Sequence, residues 1–226
     1  PLPVVQVQRE LGPLVGAWSH FTDRLRRQVE RQAQFNADAA HELRTPLAAL
    51  KARVELGLRS SDPQVWRQTL ETAAQGTDRL THLANQLLSM ARVENGARAI
   101  AEGGAQRLDL SQLARELGMA MAPLAHNRGV ALALEAQAPV WLKGEPTLLN
   151  ELLSNLVDNA LAHTPAGGNV ILRVIAPAVL EVEDDGPGIP EDERERVFER
   201  FYRRGVQGSG LGLAIVGEIC RAHLAQ

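Results

Sequence analysis

Apolar residues open the chain at helical intervals. Leu14, Trp18, Phe21 and Leu25 recur at steps of four and three, the spacing continues through Val29, and Arg24, Arg26, Arg27, Glu30 and Arg31 fill the other faces. Such a seam predicts a coiled-coil-like helix. It runs on through Phe35–Leu47, F-N-A-D-A-A-H-E-L-R-T-P-L, and then carries Leu47, Leu50, Val54 and Leu58 inward. Ser60-Ser61-Asp62-Pro63 breaks the pattern, with Asp62 as N-cap and Pro63 at the first position of a second helix. That helix reads Trp66, Leu70, Ala73, Thr77, Leu80, Ala84, Leu87 and Ala91, with Leu83 and Met90 widening the stripe; Glu94-Asn95-Gly96 is expected to end it. Two long helices joined by so short a turn are antiparallel neighbours. One hairpin alone would expose a wide apolar stripe, so pairing of two hairpins into a dimeric four-helix bundle is expected.

The polar, glycine-containing stretch Ala97–Arg107 reads as a linker, which puts a domain boundary near residue 100. From Leu108 the pattern becomes mixed α/β. Asp109 or Ser111 can cap a helix through about Ala125. Val130–Leu134 and Val140–Leu142 read as short strands, about Glu145 to His163 as a helix, and Val170–Ile175 and Leu180–Val182 as further strands, with a turn at Gly167-Gly168. The fold class expected is therefore α plus α/β: a long antiparallel helical hairpin followed by an α/β sandwich.

Composition narrows this. The 226 residues suffice for one large domain or two modest ones. Only 4% are aromatic, so the cores must be built from Leu, Val and Ala. A net charge of −3 and a pI near 6.1 leave no overall basic footprint for nucleic acid. The single cysteine, Cys220, excludes an intramolecular disulfide and reads as a buried small hydrophobe. No apolar run reaches the ~18 residues that span a bilayer and no signal peptide is visible, so the chain as given is expected to be soluble.

Three chemical groups cluster in one helical stretch: the imidazole of His41, the carboxylate of Glu42 and the hydroxyl of Thr45. Thr45 is four residues beyond His41 and shares its face. Pro46 removes an N–H from the helix and favours a bend just past this turn. A neutral imidazole is nucleophilic, and a neighbouring carboxylate can hold its other proton. The zinc motif H-E-x-x-H fails here at Thr45. Further on, Glu151, Asn155 and Asn159 are spaced to share one helical face, opposite Leu148, Leu149, Leu152, Leu156 and Val157. Asp184-Asp185-Gly186-Pro187-Gly188-Ile189 follows a strand, and Gly208-Ser209-Gly210-Leu211-Gly212-Leu213 opens a helix whose backbone N–H groups suit a phosphate.

Phe35–Leu47 resembles the H-box of bacterial sensor histidine kinases, and the later motifs follow in that family's order. The resemblance covers about Glu10 to the C-terminus. It implies that His41 accepts a phosphoryl group from ATP, with Glu42 as base and Thr45 helping a water to dephosphorylate the partner. The stretch around Asn155 resembles the N-box, implying Asn155 as the Mg²⁺ ligand and Asn159 facing the phosphates. Ala162 stands where a basic residue is common. The D-x-G-x-G box implies Asp184 as the adenine reader, with Gly186 and Gly188 beside the base. Val197-Phe198-Glu199-Arg200-Phe201-Tyr202-Arg203 resembles the F-box that anchors a lid, bringing Arg203 to the nucleotide. Gly208, Gly210, Leu211 and Gly212 would cradle phosphates.

The resemblance divides the chain into the end of a HAMP-like linker helix (1–24, with Glu10–Leu14 as the similar stretch), a dimerisation and phosphotransfer domain (25–96), a linker (97–107) and a catalytic ATP-binding domain (108–226). The segment from Phe201 to Gly208 is short for a lid, and two strands that follow the last helix in the family are expected to be missing. The implied partners are a second copy of the chain and a response-regulator receiver domain, with membrane attachment only through segments N-terminal to this chain, on the cytoplasmic side of the inner membrane. Related ATPases of the gyrase, chaperone and mismatch-repair types share the ATP boxes but lack a phosphoacceptor His on a hairpin. A dimeric scaffold that binds nucleotide without turnover is the non-enzymatic alternative.

Overall fold

A computed structural model describes residues 4–136, 139–203 and 208–225, and for residues 4–15, 28, 31 and 94 the backbone alone. The side chains of the HAMP-like stretch Glu10–Leu14, and residues 204–207 of the expected lid, therefore lie outside the described residues. Two compact units make up the chain, Pro1–Leu80 and Thr81–Gln226.

The first unit holds helix α1 (Val4–Leu58) and the first part of helix α2 (Pro63–Ala101). Pro46 does not interrupt α1. Between the helices, Asp62 Oδ1 accepts from the N–H of Gln64 at 2.8 Å, satisfying one of the donors left open at a helix start. Trp66 Nε1 donates to the Ser60 carbonyl at 2.6 Å and closes the turn.

In the second unit, β1 (Gln106–Asp109) pairs antiparallel with β3 (Trp141–Gly144). Helix α3 (Leu110–Asn127) starts at Asp109, whose carboxylate accepts from Ser111 N at 2.9 Å and from Val140 N at 3.2 Å. A three-stranded sheet follows in the order β2 (Ala131–Ala136), β4 (Asn169–Ile175), β5 (Val179–Asp184), with β2 parallel to β4 and β4 antiparallel to β5. Helix α4 (Pro146–His163) connects β3 to β4, and α5 (Gly212–Ala222) closes the unit. Glu145 caps α4 by accepting from Leu148 N at 2.6 Å. Val170, Leu172 and Val174 of β4 face Leu117 and Ala114 of α3 and Leu153, Val157 and Leu161 of α4 in one core. Alternate positions on β4 point the other way. There Arg173 pairs with Glu135 at 2.6 Å and with Glu183.

The fold class expected from the sequence is the one observed. The end of α2 is not. Glu94-Asn95-Gly96 does not stop the helix, because Gly96 marks a close approach. A Cβ there would stand 2.7 Å from Cδ1 of Leu148. The stop comes at Gly103, with φ +89°. Its N–H bonds the Ile100 carbonyl at 3.0 Å, and Gly104 N–H bonds the Ala99 carbonyl at 2.8 Å, the pattern of a Schellman cap. Residues 97–101 are therefore helix and Gln106–Asp109 is a strand, so little of the expected linker Ala97–Arg107 remains as one. Cys220 is half-buried on α5, where burial raises the thiol pKa against the opposing effect of Arg221.

Candidate functional site

His41 lies on α1 with its side chain exposed. The Thr45 hydroxyl donates to the His41 carbonyl at 3.3 Å, a back-bond within the helix that holds Thr45 one turn along the same face. Glu42 is half-buried beside them. An exposed imidazole on a helix surface is open to an electrophile brought from outside. The remaining candidates all belong to the second unit.

Asn155 is only 9% exposed. Its Nδ2 donates to the Glu151 carbonyl at 2.8 Å, which fixes the amide. Oδ1 then faces the start of α5, where a Cβ on Gly212 would stand 3.3 Å from it. An amide oxygen aimed at a glycine-rich helix start is a hard donor beside backbone N–H groups, which fits Mg²⁺ carried with phosphates. Among the described residues no group of three His, Cys, Asp or Glu could hold a metal by itself. Asn159 lies half-buried one turn further along α4, and Ala162 is exposed.

Side chains from the last turns of α2 reach the face of α4 that carries Glu151 and Asn155. Leu83, Met90 and Val93 of α2 are buried, at 7%, 3% and 3% exposure. Ser89 Oγ donates to Glu151 Oε2 at 2.7 Å, and Arg92 pairs with Glu151 Oε1 at 3.0 Å. These α2 residues are absent from the sequence candidates. Their signal lies in Leu83, Met90 and Val93, a second stripe at steps of seven and three, which reads along the sequence as mere widening of the first.

The two aspartates at the end of β5 differ, Asp184 being its last residue and Asp185 the next. Asp185 accepts from both the backbone N–H and the Nδ2 of Asn169 at 2.8 Å, and those bonds hold its pKa below the usual carboxylate range. It is a structural clasp across β4 and β5. Asp184 is exposed, and its Oδ1 accepts from Gly186 N–H at 2.8 Å, an Asx turn that orients the carboxylate. Gly188 follows with φ +68°.

Arg200 of the F-box-like stretch reaches Glu218 of α5 at 3.2 Å, and Arg196 lies 4.6 Å over the Tyr202 ring. Phe201 N–H bonds the Gly210 carbonyl at 2.8 Å. Gly210 has φ +71°, and a Cβ there would come within 2.6 Å of the Phe201 and Tyr202 backbone, so only glycine fits. Arg203 is exposed and donates from Nη1 to the Gly208 carbonyl at 3.2 Å. The Leu211 side chain is fully buried, which pins the turn and leaves its backbone N–H as the group it can offer. That N–H bonds Ser209 Oγ at 3.1 Å, and Ser209 Oγ itself donates to Oε1 of Gln86 on α2. The structure thus gathers Asn155, Gly208, Gly210, Leu211 and Gly212 around one helix start. Asp184, Gly186 and Gly188 lie apart from it, at and just past the end of β5.

Two family models match the chain. The His Kinase A (phospho-acceptor) domain covers residues 31–96, and the histidine kinase-, DNA gyrase B- and HSP90-like ATPase covers residues 144–225. The sensor protein kinase PmrB of Pseudomonas aeruginosa is 36% identical over 230 residues, covering 99% of this chain and 47% of that protein. QseC of Escherichia coli K12 is 35% identical over 230 residues, covering 99% and 50%. The chain spans about half the length of the curated relatives it matches. Among solved structures, the Acinetobacter baumannii histidine kinase AdeS matches with a TM-score of 0.57 at 25% identity, over 80% of this chain and 86% of that one. Full-length ShkA in complex with AMPPNP matches at 0.54 and 28% identity, over 84% and 40%. No helix among the described residues is long and apolar enough to cross a membrane.

Proposed function

The chain belongs to the sensor histidine kinases, and on that premise we propose that it transfers the γ-phosphoryl group of ATP to His41 and then to an aspartate of a response regulator. The observation that carries this is the facing of Asn155 Oδ1 and the glycine-rich start of α5, in a chain whose other family match contains His41. In this reading Asp184 accepts from the exocyclic amine of adenine, with Gly186 and Gly188 letting the base approach. Asn159, Arg203 and the N–H groups of residues 208–212 hold the phosphates. ShkA, a structural relative, was solved with AMPPNP, which favours a nucleotide in the corresponding place. Asn155 would hold Mg²⁺, whose chemistry there is to neutralise charge on the phosphates.

The imidazole nitrogen of His41 attacks the γ-phosphorus in line. A P–N bond forms, the bond to the ADP oxygen breaks, and Glu42 takes up the imidazole proton. Thr45 orients the water that later removes phosphate from the regulator. The working division is phosphotransfer on residues 25–96 and nucleotide binding on 108–226, with a HAMP-like lead-in over 1–24. Trp18, Phe21, Leu25 and Val29 are each more than half exposed along one seam of α1, and Leu47, Leu58 and Leu70 are exposed as well. A second copy would cover them, so the acting species is a homodimer. In the whole protein this core would sit on the cytoplasmic side of the inner membrane. Incubation with Mg²⁺ and γ-labelled ATP tests the reading. A label on the protein that survives alkali and is lost in acid is expected, and a protein that binds ATP but takes no such label would refute it.

A further inference from the structure

We propose that Gln86 is a positioning residue of the nucleotide site, acting through Ser209 to occupy a backbone donor that a nucleotide phosphate would otherwise take. The inference rests on reading the glycine-rich turn as a phosphate cradle. Ser209 Oγ sits between two groups. It donates to Oε1 of Gln86 and accepts from Leu211 N–H at 3.1 Å. A hydroxyl has one proton, so once that proton goes to Gln86 a lone pair is left for Leu211. The two bonds polarise one another in the same sense.

Leu211 is the N-cap of the eleven-residue helix α5 and has no side-chain cap of its own. Its N–H is among the donors at that helix start through which an anion is bound. The Gln86 amide also stands over the same place. A Cβ on Gly212 would be 3.7 Å from Gln86 Nε2 and 3.3 Å from Asn155 Oδ1. Gln86 is kept there by its neighbours on α2. Leu83, Met90 and Val93 are buried, and Ser89 and Arg92 hold Glu151.

A phosphate that takes the Leu211 N–H must turn Ser209 away and break its bond to Gln86. Nucleotide and the Gln86 contact therefore compete, and each weakens the other by the same factor. Whatever draws this part of α2 off α4 and α5 raises affinity for the nucleotide.

The test is calorimetric titration of the whole chain with a non-hydrolysable ATP analogue and Mg²⁺, alongside Gln86→Ala, Gln86→Met, Ser209→Ala and the Gln86→Ala/Ser209→Ala pair. Both Gln86 variants should bind the analogue about two- to tenfold tighter, the worth of one hydrogen bond. The double variant should gain no more than the larger single gain. Adenosine, which has no phosphate, should bind all of them alike. Unchanged or weaker analogue binding in the Gln86 variants overturns the proposal, as does an equal gain for adenosine, which would mean a general loosening. A wild-type chain that binds no analogue fails differently: it removes the phosphate-cradle reading first, and the inference with it.

Discussion

Replacing Gly96 by alanine sets two effects of known sign against each other. Gly96 lies inside α2, five residues before its end. In a helix interior alanine is better than glycine by about 0.8–1.0 kcal/mol, so propensity alone predicts stabilisation. The new Cβ would stand 2.7 Å from Leu148 Cδ1, 2.8 Å from Cγ and 3.0 Å from Cδ2. Because both branches and the branch point are close, no single rotation of the leucine relieves the overlap. Leu148 is 1% exposed, so it cannot swing out into solvent without opening the packing around it. Overpacking of this kind costs ~1–3 kcal/mol. The cost exceeds the gain, and a net loss of about 1 kcal/mol is expected, or roughly 2–4 °C in melting temperature for a chain of this size.

Gly16 provides the control, with nothing within 4 Å of its Cβ position, so Gly16→Ala should gain by propensity alone. Thermal and urea unfolding of the two variants, followed by far-UV circular dichroism, make the comparison. If Gly96→Ala is as stabilising as Gly16→Ala, α2 does not approach α4 at Leu148. The assignment of the end of α2 to the second unit would then be wrong.

Asp184→Asn should weaken binding of an ATP analogue about ten- to a hundredfold, the worth of one charged hydrogen bond of roughly 1.5–3 kcal/mol, and equal affinity by calorimetry would refute the adenine assignment. Asp158, on α4, has its carboxyl pKa raised by burial, which outweighs the opposing charges of His82 and Arg128. A raised carboxylate pKa means the folded state binds the proton more tightly, so stability falls as pH rises through and above the usual carboxylate range. Asp158→Asn should therefore be the more stable protein at neutral pH, with the advantage vanishing below that range; a gain independent of pH in urea unfolding would exclude burial as its cause. Thr45→Ala removes one exposed hydroxyl and should autophosphorylate and transfer normally while dephosphorylating a regulator poorly. Glu42→Gln should autophosphorylate ~10²–10⁴-fold more slowly, as loss of general-base assistance implies. Measured against the same regulator, lost kinase and retained phosphatase activity in Thr45→Ala would reverse this division of labour.

Local chemistry was legible in the sequence and tertiary covering was not. The start of α2 could be read because Asp62 and Pro63 act within one turn, and α3 likewise follows from Asp109. The four strands read from their apolar runs match β2, β3, β4 and β5 with ends shifted by a residue or two. β1 is not legible in the sequence, because Gln106-Arg107-Leu108-Asp109 has too little alternation to reveal itself. It is defined by pairing with Trp141–Gly144, some 35 residues away. Gly96 looked like a stop because propensity is a local property, whereas Leu148, which the glycine accommodates, arrives from another helix. For the same reason the spacing puts Asn155 on the face opposite the leucine stripe of α4, whereas it is only 9% exposed. Nothing within α4 announces that α2 meets it at Glu151, through Ser89 and Arg92, and at Leu148, beside Gly96, so the sequence alone hides Gln86, Ser89 and Arg92.

His41 as the phosphoryl acceptor is the central claim about this chain. The most direct measurement compares wild type and His41→Gln with γ-labelled ATP and Mg²⁺, scoring acid-labile label and, in parallel, affinity for an ATP analogue. His41 is an exposed residue of the first unit, and the proposed ATP residues belong to the second. The variant should bind the analogue as wild type does and carry no acid-labile label. Acid-labile label persisting on His41→Gln would contradict the account.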